Sequence, residues 1–228
     1  MNVFILKIIA LTTMIIDHYG AIFQGDTMFF RMIGRLAFPI YCFLLVEGYF
    51  HTSDVKKYAK RLFIFALISE VPFDLAFYNK LGFVHQNIFF TLFIGLAAIY
   101  ILDNREGKYN FNKNTVVLIK TAVILISCVL ATLLSVDYSA VGIIYILVFY
   151  FTRNYDKFKR FITIVPIMLI VNFSASIFQQ FSLLALPLLY SYNGELGPKN
   201  KILQISFYVA YPLHLMIFYI IKISFPLL

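Results

Sequence analysis

Seven side chains with the chemistry of a site fall inside apolar runs in the first third of the chain: Asp17, His18, Arg35, Glu47, His51, Glu70 and Asp74. An ionised side chain near the centre of a bilayer costs at least about 2.5 kcal/mol on insertion scales. One such residue passes as an accident of packing, but a concentration of them does not. Carboxylates beside an imidazole hold its orientation and raise its basicity, which suits a general base. An arginine among them can bind a carboxylate or a developing oxyanion. Beyond the third apolar run such residues thin out. His85 and Asn87 open the fourth run, and Lys120, Asn172, the Gln179-Gln180 pair and His214 follow.

Other readings compete. Arg35 could neutralise Asp17 or Asp74 as structural glue. Glu47 and His51, spaced i,i+4 near a surface, can reach water, and His85 by itself reads as a loop histidine. Lys120 lies close enough to a span end to snorkel. Intramembrane Asp, Glu and His also suit proton relays, so a proton-coupled transporter is the alternative function. A structural or assembly protein accounts for the hydropathy but not for polar residues gathered in one part of the chain. Cys42 and Cys128 match no metal-ligand spacing, and no metal is expected.

These residues need helices in a membrane to position them. Of 228 residues, 61% are hydrophobic and 13% charged, against roughly 25% charged in soluble domains. Hydropathy predicts an all-α, polytopic bundle of about nine transmembrane helices (eight to ten) in one domain, residues 1–228. The spans are 4–23, 32–50, 61–78, 87–102, 115–136, 138–152, two short ones within 161–192 that turn near 172–176, and 202–223. The first run holds Asp17-His18 and lacks a small-residue cleavage site, so it reads as a retained span. No internal repeat of the kind built into many transporters is visible.

The net charge of +8 does not imply nucleic acid, because the basic residues cluster between apolar runs. On one side fall Lys7, Lys56, Lys57, Lys60, Arg61, Arg105, Lys108, Lys113, Arg153, Lys157, Lys159, Arg160, Lys199 and Lys201. The other side receives Arg31, Lys80 and Lys222, a tally of fourteen against three. The richer side is then cytoplasmic, with the amino terminus inside and the carboxyl terminus outside. Asp17 lies ten residues past Lys7, roughly 15 Å deeper at 1.5 Å per residue. At that depth Asp17, His18, Arg35, Glu70 and Asp74 can meet, whereas Glu47 and His51 lie near the inner surface. In the last span, FYVAYPLHL sets Tyr211 and His214 around Pro212. The proline interrupts the helical ladder where a cavity or a packed kink is expected.

Several segments, in order, resemble TraX-type proteins: LKIIALTTMIIDHYG, RMIGRLAFPIYCFLLVEGYFHT, RLFIFALISEVPFDLAF, NIFFTLFIGL and the closing FYVAYPLHL. The resemblance is dense over nearly the first hundred residues and returns in the last span. The family's named member is implicated in amino-terminal acetylation of conjugative pilin. Its broader relatives are transmembrane acyltransferases, including lysosomal heparan glucosaminide acetyltransferase and bacterial cell-surface O-acetyltransferases.

The resemblance implies a bacterial inner-membrane acetyltransferase. Acetyl-CoA would be the donor on the cytoplasmic side. An exported peptide, protein or glycan would be the acceptor on the far side. It places an essential histidine at His18 and maps the arginine and acidic positions to Arg35, Glu47, Glu70 and Asp74. On this reading His18 deprotonates the acceptor or transiently holds the acetyl group. Glu70 or Asp74 orients the imidazole, Asp17 holds a different partner, and Arg35 stabilises charge. The donor side comprises Glu47, His51, Lys56, Lys57, Arg61, Tyr211 and His214.

Overall fold

The computed structural model describes residues 1–25, 27–105, 112–198 and 200–225. Lys108 and Lys199, two of the fourteen basic residues on the richer side, lie outside the described residues. The regular elements of the described residues are helices: α1 (Val3–Phe23), α2 (Met28–Gly34), α3 (Ala37–His51), α4 (Val55–Tyr78), α5 (Ile88–Arg105), α6 (Lys113–Leu133), α7 (Ser139–Phe151), α8 (Lys157–Ala175), a 3₁₀ segment (Ile177–Leu184), α9 (Ala185–Tyr190) and α10 (Lys201–Ser224). α2 with α3, and the 3₁₀ segment with α9, form two composite rods. Among the described residues, nine rods therefore stand where hydropathy places the spans. Five of them are long and apolar enough to cross a membrane: α1, the α2–α3 rod, α6, α8 and α10.

Five helices begin at one end of the bundle, each with a polar cap. Asn2, Asp54, Asn112, Asp156 and Asn200 accept hydrogen bonds from amides two or three residues on, satisfying donors that a helix start leaves open. Asp54 is the reason α4 starts six residues before the apolar run at 61. Its carboxylate takes the Lys57 amide at 3.0 Å, so the basic residues 56–61 form the first turns of the helix rather than a linker.

The second rod departs from the expected continuous helix. Pro39 lacks the N–H that would bond the Arg35 carbonyl. The chain tightens there, with the Leu36 amide donating to Ile33 O at 3.2 Å, and Arg35 sits at the joint. α2 can approach α1 because residue 34 is glycine. A Cβ at Gly34 would lie 2.1 Å from Asp17 Oδ1.

Residues 157–192 leave one end and return to it. The Lys157 ammonium donates to the carbonyls of Tyr190 and Tyr192, at 3.1 and 2.9 Å. α8 is about 28 Å long at 1.5 Å per residue. The returning rod covers nearly the same distance with fewer residues, because a 3₁₀ helix rises about 2.0 Å per residue. Asn172 holds the pair together. Its amide donates to Gln179 O at 3.0 Å and Ser182 Oγ at 3.1 Å, and its oxygen accepts from the Tyr145 hydroxyl. The amino terminus closes the same end, with the Met1 ammonium on Ser191 O at 2.6 Å and the Val3 amide on Glu195 O at 2.9 Å. α10 finishes at the opposite end, where Phe218 meets Phe23. There too the loops before α5 and α7 pair through Gln86 and Val136. The two ends of the described chain thus lie at opposite ends of the bundle.

Candidate functional site

Two cavities open into this bundle from its two ends. The smaller, about 160 Å³, lies at the end away from the amino terminus. α1 brings Asp17 and His18 to it, α2 brings Arg31, and the joint brings Arg35. The paired loops supply His85, Asp137 and Tyr138.

His18 and His214 stack with planes 13° apart, and His18 Nδ1 lies 2.7 Å from His214 Nε2. His214 Nδ1 lies 2.8 Å from the Ala210 carbonyl. A carbonyl only accepts, so with both rings neutral His214 Nδ1 donates to it. His214 Nε2 then accepts from His18 Nδ1–H, which leaves the lone pair of His18 on Nε2. His85 repeats the pattern through its Nδ1 and the Ser135 carbonyl. The cavity is therefore lined by two imidazoles, each held as the tautomer with a basic Nε2.

The charges around them are arranged differently from the sequence-based expectation. Asp17 pairs with Arg31 at 3.0 Å. Arg35 donates to the Tyr138 hydroxyl at 3.2 Å, and its Nε is buried with no hydrogen-bond partner among the described residues. Phe38 stacks on Tyr138 at 3.8 Å and fixes that phenol. In the loop before α7, burial pushes the Asp137 carboxyl above the usual carboxylate range, against the pull of His85 and Arg35.

The larger cavity, about 630 Å³, lies at the end that holds the amino terminus. Lys7, Arg61 and Lys201 line it with Tyr58, Phe207 and Tyr208, and Leu196, Gly197 and Pro198 line it from the loop before α10. Lys7 sits 5.4 Å over the Phe207 ring, and Arg61 lies between Tyr58 and Tyr208 at 5.6 and 6.0 Å. The Arg61 Nε is buried and has no hydrogen-bond partner among the described residues. Glu47 also lines this cavity, but Arg153 Nε at 3.5 Å and the Tyr192 hydroxyl at 3.2 Å take up its carboxylate. Burial, and then the neighbouring Glu47 carboxylate, push the Tyr192 phenol up to about 12, so it remains a donor. Three cations, two of them beside aromatic rings, and one already paired carboxylate make this an anion-attracting vestibule.

The cavities share a wall. Met14, Tyr41, Ile88 and Tyr211 line both. Along α10, Phe207 and Tyr208 face the larger cavity, Tyr211 belongs to the wall, and His214 lies behind His18.

Of the residues singled out in the sequence, His18, Asp17 and Arg35 come together at the smaller cavity. Glu70 and Asp74 do not reach the imidazole. Glu70 accepts from the Asn87 amide at 2.9 Å and from its side chain, and Asp74 takes the Gly82 amide at 2.8 Å. Both carboxylates tie down the loop after α4, and His214 occupies the orienting position expected of them. Glu47, His51, Arg61 and Tyr211 line the larger cavity. Lys56 and Lys57 do not. They are exposed on the first turn of α4, where Lys57 pairs with Asp54 at 3.3 Å. Sequence reasoning passed over Arg31, Asp137, Tyr138, Lys7 and Lys201 as constituents of a site. Asp137-Tyr138 in the short link between two apolar runs was the signal that could have found the third wall of the smaller cavity.

A helical membrane protein with two opposed cavities and a paired-histidine centre is the class that this fold and site define. The chain belongs to the TraX protein family, which it matches over residues 3–222. It is similar to the probable fimbrial assembly protein FimC, serogroup H1, of Dichelobacter nodosus, with 36% identity over 121 residues, 46% of this chain and 48% of that protein. An uncharacterized protein of Rickettsia prowazekii (strain Madrid E) is 29% identical over 108 residues, 47% of this chain and 40% of that protein. The matches thus span about half or less of these curated relatives. No solved structure matches the chain.

Proposed function

We propose that the protein is a membrane acetyltransferase that passes an acetyl group from acetyl-CoA, bound at the end of the bundle holding the amino terminus, to an amine or hydroxyl entering from the other end. The observation that carries this reading is the pair of cavities with one shared wall. The larger is lined by cations, and the smaller by an imidazole with a basic nitrogen. The family match supports it, and the fimbrial relative's name makes an exported fimbrial subunit the first acceptor to test, ahead of other exported peptides and of glycans.

The donor's phosphates would meet Lys7, Arg61 and Lys201 at the wider mouth, and the narrower arm would carry the thioester to the wall. The acceptor would approach from the smaller cavity and give its proton to His18 Nε2 as it attacks the thioester carbonyl carbon. The carbon–sulfur bond then breaks and the thiolate of CoA leaves, taking up the proton that His18 Nε2 accepted, which returns the imidazole to its neutral form. His214 positions His18 throughout. With the basic end towards the cytoplasm, the donor is cytoplasmic and the acceptor lies outside an inner membrane.

The test is acetyl transfer from labelled acetyl-CoA in proteoliposomes, with envelope proteins of the source cell as acceptors. His18→Ala is expected to lower transfer by about 10²–10⁴-fold, the contribution of a positioned general base. Transfer at the unaltered rate in that variant would remove the assignment. Acetyl-CoA binding to the purified protein separates this reading from a proton-coupled transporter, which has no use for it.

A further inference from the structure

Tyr211 is a buried hydroxyl on the wall common to both cavities. The residue is 3% exposed, and its hydroxyl has no acceptor among the described residues. Protein interiors rarely leave such a proton unmatched, and its neighbours account for the ring and, through the Ile88 amide, for the oxygen, but not for the proton. Phe89 meets the ring edge-on at 5.3 Å, and the His18 and His214 rings lie 5.9 and 5.7 Å away. Packing alone would be served equally well by phenylalanine.

The position explains the hydroxyl. A group held in one cavity and a nucleophile held in the other can react only at the surface that both share. Four side chains form it, and Met14 and Ile88 carry no donor. Tyr41 is half-buried, and Tyr211 has a buried hydroxyl whose proton meets no acceptor among the described residues, while the Ile88 amide lies at its oxygen. A preorganised donor in a site closed to water is most effective where negative charge develops.

We infer that Tyr211 is a catalytic residue whose hydroxyl donates to the carbonyl oxygen of the thioester as that oxygen becomes an oxyanion. The inference rests on the proposed acetyl transfer and adds to it the group that stabilises its intermediate. When the acceptor's lone pair forms the new bond to carbon, the carbonyl electron pair moves onto oxygen, where the Tyr211 proton meets it. His18 Nε2 takes the acceptor's proton. Collapse restores the carbonyl and expels the CoA thiolate, so Tyr211 ends as it began. One face of α10 carries both tasks, because Tyr211 and His214 are three residues apart.

Tyr211→Phe, Tyr155→Phe and His18→Ala, each purified in the full chain, are compared for acetyl-CoA binding and for kcat and KM of transfer. Tyr211→Phe is expected to bind acetyl-CoA as the unaltered protein does, to keep its KM for the donor and its thermal stability, and to lose about 10²–10³-fold in kcat. Tyr155→Phe, at an exposed tyrosine that lines neither cavity, is expected to retain kcat within about twofold, well short of the loss of an oxyanion donor. If His18→Ala abolishes transfer while Tyr211→Phe leaves kcat unchanged, the role of Tyr211 is overturned and the acetyl-transfer reading stands. If His18→Ala transfers normally, the acetyl-transfer reading itself fails. A Tyr211→Phe protein that has lost stability or acetyl-CoA binding also overturns the inference, because the hydroxyl then had a structural role.

Discussion

At the scale of single residues, the centre of the molecule is a chain of hydrogen bonds from the Ala210 carbonyl through His214 to His18. It sets a tautomer without any carboxylate touching the ring. Replacing His214 with alanine removes the acceptor for His18 Nδ1–H and frees the imidazole to rotate or change tautomer. His214→Ala is therefore expected to lower kcat by about 10²-fold, at the lower end of a general base's contribution, with KM for acetyl-CoA unaltered. Steady-state kinetics on the purified variant checks this, and an equal loss in donor affinity would contradict it. Tyr192 offers a pH test. Its folded pKa of about 12 stands above the ordinary tyrosine value of about 10, so its donation to Glu47 stabilises the fold fully below pH 10. That contribution is lost as the pH rises from about 10 to about 12. The stability advantage of the unaltered protein over Tyr192→Phe should be constant near neutrality and shrink above pH 10, measured by thermal unfolding in detergent.

At the scale of elements, the turning of residues 157–192 was visible in the sequence, and its mechanism was not. Hydropathy and the polar run around Asn172 mark a reversal, but a fourteen-residue return looks too short for a second α-helical rod. The 3₁₀ segment solves the length problem, and Asn172, fully buried, supplies donors and an acceptor for the packed rods. Asn172→Ala would remove the acceptor of the Tyr145 hydroxyl and strip the Gln179 carbonyl of its side-chain donor. A loss of about 1–3 kcal/mol is expected, the usual consequence of unsatisfied buried polar groups. Thermal unfolding should show it, with donor binding at the distant cavity retained at low temperature. The break between α2 and α3 was also encoded locally, in Pro39. Reading that proline as a helix signal rather than as a residue within a span would have placed Arg35 at a joint.

At the scale of the whole molecule, the polar caps and the basic residues agree on one end. Asn2, Asp54, Asn112, Asp156 and Asn200 open helices there, and Lys7, Arg61 and Lys201 follow them into the larger cavity. A membrane would then present the two cavities to different compartments. In a background lacking Cys42 and Cys128, Ser53→Cys at the larger cavity and Phe83→Cys in the opposite loop test this. A membrane-impermeant thiol reagent should reach Phe83→Cys in intact cells and Ser53→Cys only after the membrane is opened. Labelling of both from one side would refute the arrangement.

The sequence by itself determined the class, the family and the course of the chain. Hydropathy and loop charges are local properties, read over one helix at a time, and they placed the rods to within about six residues at each end. The i,i+4 spacing likewise put Glu70 with Asp74 on one face. Spacing within a helix cannot say which face meets which neighbour. That depends on how each rod is rotated, where it breaks and how closely glycine lets it approach. Only the tertiary structure brought Arg31 into contact with Asp17, assigned Glu70 and Asp74 to a loop, and brought His214 across 196 positions of sequence to His18. It also divided the polar interior into two cavities, because a wall assembled from α1, α3, the start of α5 and α10 exists only once those four elements pack together.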